Sequence, residues 1–138
     1  MRLLRAAFLV GAVLSSPALA EPPVDIPEAN LSIKVATGNT YQAIVAALPK
    51  PPEQSRRSMT IENNNASDNC EIDVTGTVAV GDTTSTTHTV GGTSLTAAQA
   101  SILLLPGGSW QRYYPFIPSN AIVGTCANTG DSLYVSGQ

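Results

Sequence analysis

The chain has little of the chemistry on which most enzymes depend, because only one of its 138 residues is histidine. No serine–histidine–acid arrangement can form without His88, which lies among threonines with no acidic residue closer in sequence than Asp82. The same count excludes His-rich zinc sites, and no nucleophile motif or cofactor fingerprint is present. We therefore interpret His88 as a solvated loop histidine, and we predict a protein that is not an enzyme and uses no cofactor or metal.

Charge is also scarce, since charged residues make up 12% of the chain and the formal net charge is −3. A nucleic-acid-binding domain needs a basic face, and anionic lipid needs a polybasic cluster; the sequence has neither. Hydroxyl and amide side chains must then solvate the surface, and abundant threonine, glycine and asparagine are typical of exported β-proteins.

Cysteine is limited to Cys70 and Cys126. Two residues so far apart exclude a Cys-x-x-Cys redox site and are too few for a cysteine-rich metal site. In an oxidising compartment such a pair is most simply a disulfide, which we predict here.

The first twenty residues have the layout of a secretory signal. Two arginines precede an apolar run over residues 6–14, and small residues stand at positions −3 and −1 before a cleavage site between Ala20 and Glu21. The apolar run is about half as long as a membrane span requires. We predict a signal peptide over residues 1–20, no membrane span after its removal, and a periplasmic or secreted protein.

The remaining sequence predicts a flexible, proline-rich leader over residues 21–30 and one domain over residues 31–138. Short alternating or apolar runs, separated by turn signals, indicate an all-β fold: a small antiparallel β-sandwich, jelly-roll or immunoglobulin-like, tied by one disulfide. The expected strands cover residues 31–35, 57–62, 70–74, 102–105, 110–116, 121–126 and 133–135. We expect residues 57–62 and 70–74 to form a hairpin and residues 102–105 to be a buried strand.

Two segments leave alternatives open. The alanines of residues 41–48 permit a short helix, whereas Tyr41, Ile44 and Val45 favour the strand that we predict. The Thr-rich residues 82–96 have too few apolar positions to bury a face, so we predict an exposed loop or loose hairpin there. Val78 and Val80 would suit a short strand before it, and residues 96–100 one helical turn.

Carboxylates cluster at residues 62–73, and Glu71 and Asp73 share one face of their predicted strand. With Glu62 across the hairpin, they would be able to bind Ca²⁺ or work as acid and base. The calcium-loop spacing is absent, however, and we interpret these acids as solubilising an exposed face. A carboxylate-dependent hydrolase is the alternative to a protein without catalysis.

Aromatic residues make up only 5% of the chain and concentrate in residues 110–116. Alternation places Trp110, Arg112 and Tyr114 on one face and Tyr113 on the other. That face is either an exposed contact patch or a core pair, Trp110 and Tyr114, whose edge Arg112 caps. We favour a core position for Trp110 and an exposed Tyr113.

Three motifs resemble small β-sandwich proteins encoded in bacteriophage structural gene clusters. They are the runs RRSMTIENN at residues 56–64, LLPGGSW at residues 104–110 and PSNAI at residues 118–122. The resemblance covers residues 56–135 and implies a β-sandwich with a virion surface or decoration role and no catalysis.

The sequence therefore predicts an exported, non-catalytic binding or structural module. Its partner would be a protein or carbohydrate at the cell envelope or outside the cell, or another copy of the chain; a virion surface protein is the alternative. The candidate contact residues are Arg112, Tyr113, Thr84, Thr86 and Thr87.

Overall fold

The structure of the chain is a computed structural model that describes residues 29–49 and 56–137. The predicted signal peptide, its cleavage site between Ala20 and Glu21, and residues 21–28 of the predicted leader lie outside the described residues. Ala29 and Asn30 belong to the first strand. The leader prediction was therefore wrong at these two residues.

The described residues form ten strands and one short helix. In chain order they are β1 (Ala29–Lys34), β2 (Gln42–Val45), β3 (Ser58–Asn63), β4 (Cys70–Asp73), β5 (Thr87–Val90), β6 (Thr93–Thr96), α1 (Ala97–Ala100), β7 (Ile102–Leu104), β8 (Ser109–Tyr113), β9 (Ile122–Cys126) and β10 (Ser132–Gly137). The strand interpretation of residues 41–48 is confirmed. No helix among the described residues has the length and hydropathy to cross a membrane.

Eight of the strands build two antiparallel sheets, which we call the front sheet, β1-β10-β3-β8, and the back sheet, β2-β9-β4-β7. The chain changes sheet at six connections, from β1 through to β4 and again from β7 through to β10. Two four-stranded sheets joined in this order are the eight-stranded jelly roll. The predicted all-β sandwich is confirmed, in its jelly-roll rather than its immunoglobulin-like form.

The hairpin predicted for residues 57–62 and 70–74 is wrong, because β3 lies in the front sheet and β4 in the back sheet. The polar connection between them is held to both sheets by side-chain amides. Asn63 donates to the carbonyls of Asp68 and Leu104 at 2.7 and 2.9 Å, and Asn65 accepts from the Ser132 amide at 2.9 Å. These bonds hold a connection that crosses from the front sheet to the back sheet, where sequence alone predicts a hairpin turn.

The core lies between the two sheets and follows the alternation of the strands. Inward-facing residues are almost fully buried: Met59, Ile61, Leu133 and Val135 from the front sheet, and Ile44, Ile72, Leu104 and Ile122 from the back sheet. Trp110 joins them with 6% of its surface exposed, which confirms its core position. Tyr114, in contrast, is 65% exposed, so the paired core interpretation is wrong for that residue.

The predicted buried run at residues 102–105 is also wrong. Within it only Leu104 is fully buried, whereas Leu103 and Leu105 are exposed. The reason is that side chains alternate along β7, so Leu103 points away from the core at the edge of the back sheet, and Leu105 lies beyond the end of the strand. An unbroken apolar run therefore overstated the burial of this strand.

The predicted disulfide between Cys70 and Cys126 is confirmed. The two cysteines lie directly opposite each other on the neighbouring strands β4 and β9. The bond closes a loop with a sequence separation of 56, which would stabilise the fold by about 4 kcal/mol through the lost entropy of the unfolded chain. It therefore fixes the register at the centre of the back sheet.

Residues 74–101, which we call the excursion, connect β4 to β7 and lie over the outer face of the back sheet. Val78 and Ala97 of the excursion are buried against Tyr41, which directly precedes β2, and Val123 of β9. The β5–β6 hairpin confirms the hairpin alternative for residues 82–96, whereas Val78 and Val80 lie outside any strand. The expected helical turn is α1, which the side chain of Thr96 caps.

Candidate functional site

His88 is not the solvated loop histidine that the sequence predicts. It lies on β5 with its side chain 17% exposed, and its Nε2 atom lies 3.0 Å from Oδ2 of Asp82. The turn between these two residues folds the chain back on itself, a proximity that sequence spacing does not reveal. The contact links two parts of the excursion.

Glu71 and Asp73 both point to the outer face of β4, as predicted, but the excursion covers them. Asp73 is 1% exposed, and its carboxylate accepts hydrogen bonds from the Thr75 amide and hydroxyl and from the Val78 amide at 2.6 to 2.8 Å. The interpretation of this acid as solubilising is therefore wrong. Through these hydrogen bonds, Asp73 anchors the start of the excursion.

Glu71 is held from two sides. Its Oε2 atom accepts a hydrogen bond from the Tyr41 hydroxyl at 2.6 Å and from the Ser101 hydroxyl at 3.2 Å. Burial, and then the hydrogen bond to Glu71, raise the pKa of Tyr41 well above its ordinary value of 10. The phenol therefore keeps its proton and remains a donor at physiological pH.

Glu62 lies on β3 in the front sheet, apart from the other two acids. The arrangement expected from the hairpin, with Glu62 across from Glu71 or Asp73, is therefore wrong. Among the described residues, no group of three histidine, cysteine or acidic side chains is placed to hold a metal ion. The two acids of β4 instead fasten the excursion to the sheet.

Arg112 takes the edge position that one of the two sequence interpretations gives it. Its guanidinium carbon lies 5.2 Å from the centre of the Trp110 ring, on an exposed side chain at the rim of the core. A cation over an indole ring at this distance is favourable. Arg112 therefore covers the buried tryptophan and remains accessible to a partner.

Residues 113–116, which we call the aromatic segment, hold three exposed rings. Tyr113, Tyr114 and Phe116 are 62%, 65% and 78% exposed. Sequence reasoning singled out Tyr113, offered an exposed Tyr114 as one of two alternatives, and missed Phe116. The signal available for Tyr114 and Phe116 was Pro115, because a proline after β8 directs the chain out of the sheet.

The three candidate threonines lie on the excursion and do not join Tyr113 in one surface. Thr87 is exposed on β5, and Thr86 is partly buried, with its hydroxyl accepting from the Thr83 amide at 3.0 Å. Thr84 is also partly buried and lines a cleft. The predicted contacts therefore divide between the covered back sheet and the β8 edge of the front sheet.

That cleft has a volume of about 220 Å³ and opens beside the excursion. Its floor is formed by outward residues of β4 and β9, and its rim by the β1–β2 connection, the excursion and β7. Its polar and apolar lining residues include Asn39, Asn69, Glu71, Thr84, Leu103 and Thr125. We call it the Glu71 cleft.

Comparison with known proteins does not extend this description. The chain matches no protein-family model, and searches of curated proteins and of solved structures find no match.

Proposed function

We propose that this chain is an exported, non-catalytic interaction module that associates with a second copy of itself through the β8 edge. The observation that carries the proposal is the exposure of all three rings of the aromatic segment. Scattered exposed apolar residues are ordinary on a protein surface, but neighbouring exposed aromatics are typical of contact sites. Tyrosine and arginine are enriched among the residues that dominate binding energy, and Arg112 and Tyr113 are adjacent here.

The strand that carries these residues supports a second copy as the partner. β8 is the last strand of the front sheet, and within residues 29–49 and 56–137 its only partner strand is β3. Its second edge leaves backbone donors and acceptors available for another strand. Two β8 strands would pair around a twofold axis, which is the commonest symmetry of protein dimers. Arg112 is the only charged residue of β8, so little repulsion opposes this pairing.

Export is supported by the signal-like sequence and by the disulfide. Disulfides persist in oxidising compartments and are rare in the cytosol. The expected product begins at Glu21 and lies in the periplasm or the medium. Mass spectrometry of the secreted chain would test this, because the mature terminus and the Cys70–Cys126 bond are both visible in one digest.

A virion surface or decoration protein is the second candidate. The observation that favours it is the jelly-roll strand order, which occurs in viral capsid and lectin domains and agrees with the resemblance of residues 56–135 to phage structural proteins. Because one fold serves many functions, the strand order alone supports this candidate less strongly than the exposed aromatic segment supports the first. The two candidates agree that the molecule works by contact and differ in what surrounds it.

Sedimentation velocity over a range of protein concentrations tests the association. The mature chain is expected to dimerise, and the combined variant Tyr113→Ser, Tyr114→Ser, Phe116→Ser to remain monomeric. Leu31→Ser is a matched control, because Leu31 is 55% exposed on β1 at the opposite edge of the same sheet. A mature chain that stays monomeric at millimolar concentration, or a dimer lost in Leu31→Ser but not in the triple variant, would contradict the proposal.

A further inference from the structure

We propose that the Glu71 cleft binds a single neutral sugar ring. This site is separate from the aromatic segment, and the inference does not rest on self-association. It depends on the groups that the cleft presents, on its size and on the way its walls are held.

The cleft presents both kinds of hydrogen-bonding group that a sugar hydroxyl needs. Among the described residues, neither the Asn69 amide nor the Thr84 hydroxyl makes a side-chain hydrogen bond, and Oε1 of Glu71 accepts none. Asn39 uses its Nδ2 atom to reach the Ala127 carbonyl at 3.2 Å, which leaves its amide oxygen available as an acceptor. Donors and acceptors therefore surround the space without satisfying one another.

One wall of the cleft is apolar. Leu103 is 54% exposed on the edge strand β7 and lines the same space as Glu71, with which it is in register. A sugar ring has a face of C–H groups as well as hydroxyls, and Leu103 provides an apolar surface for that face. A ligand with both kinds of surface fits this lining better than a purely polar ion does.

The electrostatics favour a neutral ligand. Glu71 is the only charged residue in the lining, and its Oε2 atom is already occupied by the hydroxyls of Tyr41 and Ser101. A bound cation would require more anionic groups or an aromatic cage. A hydroxyl that donates to Oε1 instead gains one charge-assisted hydrogen bond without a counter-ion.

The size of the cleft limits the ligand. Its 220 Å³ falls below the roughly 300–1,000 Å³ that is typical of pockets for drug-sized molecules. One six-membered sugar ring is of suitable size, and a longer glycan would have to extend out of the cleft.

The walls are fixed before any ligand arrives. The Asn39 amide donates to the Cys126 carbonyl at 2.8 Å, and the Thr84 amide donates to the Asn39 carbonyl at 3.2 Å. The disulfide ties Cys126, which also lines the cleft, to β4. A preorganised site loses less entropy on binding, so a small ligand can be held by few contacts.

The test is an NMR titration of the ¹⁵N-labelled mature chain with D-glucose, D-galactose and N-acetyl-D-glucosamine, each added separately. At least one sugar is expected to shift the backbone amides of Asn39, Asn69 and Thr84 to saturation. Glu71→Gln keeps an acceptor oxygen for Tyr41 but removes the charge, and it should weaken that binding at least tenfold. Asn69→Ala removes an exposed side chain outside any strand and should weaken it at least threefold.

Ser94→Ala is the matched control, because Ser94 is exposed on β6 and does not line the cleft. It should bind the sugar as the unmodified chain does, and all three variants should keep well-dispersed amide spectra. The proposal is overturned if none of the three sugars saturates these amides at 100 mM. It is also overturned if methylammonium ions saturate them instead, or if both cleft variants bind the sugar with unchanged affinity.

Discussion

The two outer faces of the jelly roll are solvated differently. On the back-sheet side, Tyr41, which directly precedes β2, and Val123 of β9 are 1% and 6% exposed because the excursion covers them, whereas Leu103 at the β7 edge is 54% exposed. On the front sheet, the outward positions are polar and are exposed or partly buried. They include Asn30, Ser32, Thr60, Glu62, Ser109, Gln111, Tyr113, Tyr134 and Ser136.

The same two-residue alternation produces both faces, and the identity of the outward residues decides which face needs a cover. Tyr41 and Val123 are buried by the excursion, and the two acids of β4 become its anchors. The front sheet needs no cover, and its free edge at β8 carries the aromatic segment. The comparison shows a structural role for Asp73 beneath the excursion, and it is consistent with the contact role proposed for the uncovered β8 edge.

The largest expected difference between the faces is between Asp73→Ala and Glu62→Ala. Asp73→Ala removes a buried carboxylate and leaves the Thr75 and Val78 amides without their acceptor, so we expect a loss of about 3 kcal/mol in the free energy of unfolding. Glu62→Ala on the uncovered face should change it by less than about 0.5 kcal/mol. Urea unfolding of both variants with the disulfide intact measures the difference, and equal effects would remove the distinction between the faces.

A smaller difference is expected for a pair of tyrosines. Tyr41→Phe deletes the buried hydroxyl that donates to Glu71 and should cost about 1 to 1.5 kcal/mol, because the partly buried Glu71 carboxylate keeps only its Ser101 partner at that oxygen. Tyr134→Phe, at an outward position of the front sheet, should be nearly neutral. The same unfolding measurement applies, and a Tyr134→Phe effect as large as that of Tyr41→Phe would contradict the assignment.

The raised pKa of Tyr41, a residue of the covered face, predicts that the free energy of unfolding depends on pH. Above pH 10 the unfolded chain releases the phenol proton of Tyr41, whereas the folded chain retains it. The folded state then binds more protons than the unfolded state, so the free energy of unfolding falls as pH rises. We expect Tyr41→Phe to show a shallower fall between pH 9 and pH 11 than the unmodified chain. Chemical unfolding at fixed pH values across this range measures both slopes, and parallel slopes would show that Tyr41 does not carry the effect.

The smallest effect on stability is expected in the aromatic segment. Tyr113→Ser and Phe116→Ser should each change the free energy of unfolding by less than about 0.5 kcal/mol, since both rings are mostly exposed in the single chain. Thermal unfolding at low protein concentration, where self-association is absent, is the appropriate measurement. A large loss would mean that the rings pack within the fold and would weaken their assignment to a partner.

Local pattern predicted much of the fold. Alternation located most of the strands, and a cysteine pair without alternative partners identified the disulfide. A short polar segment does not show whether the next strand pairs with the previous one in a hairpin or crosses to the other sheet. The bonds that distinguish them join Asn63 to Leu104 and Asn65 to Ser132, residues distant in sequence.

The covered face was missed for a related reason. Residues 82–96 contain few apolar side chains, which correctly predicted that they cannot build a core alone. Burial of the excursion instead uses Val78 and Ala97 at its ends, against Tyr41 and Val123 on the back-sheet side. The Glu71 cleft depends on the same long-range packing, so of its residues the sequence singles out only Glu71, Thr84 and, as half of the disulfide, Cys126.

The most direct test of the contact role of the uncovered edge is hydrogen–deuterium exchange of the mature chain at low and high concentration. Backbone amides at the free side of β8 should exchange more slowly at high concentration, so that protection increases in peptides covering residues 109–116. Peptides covering the β5–β6 hairpin should exchange at the same rate in both samples. Increased protection confined to that hairpin or to β1, with residues 109–116 unchanged, would contradict the assignment.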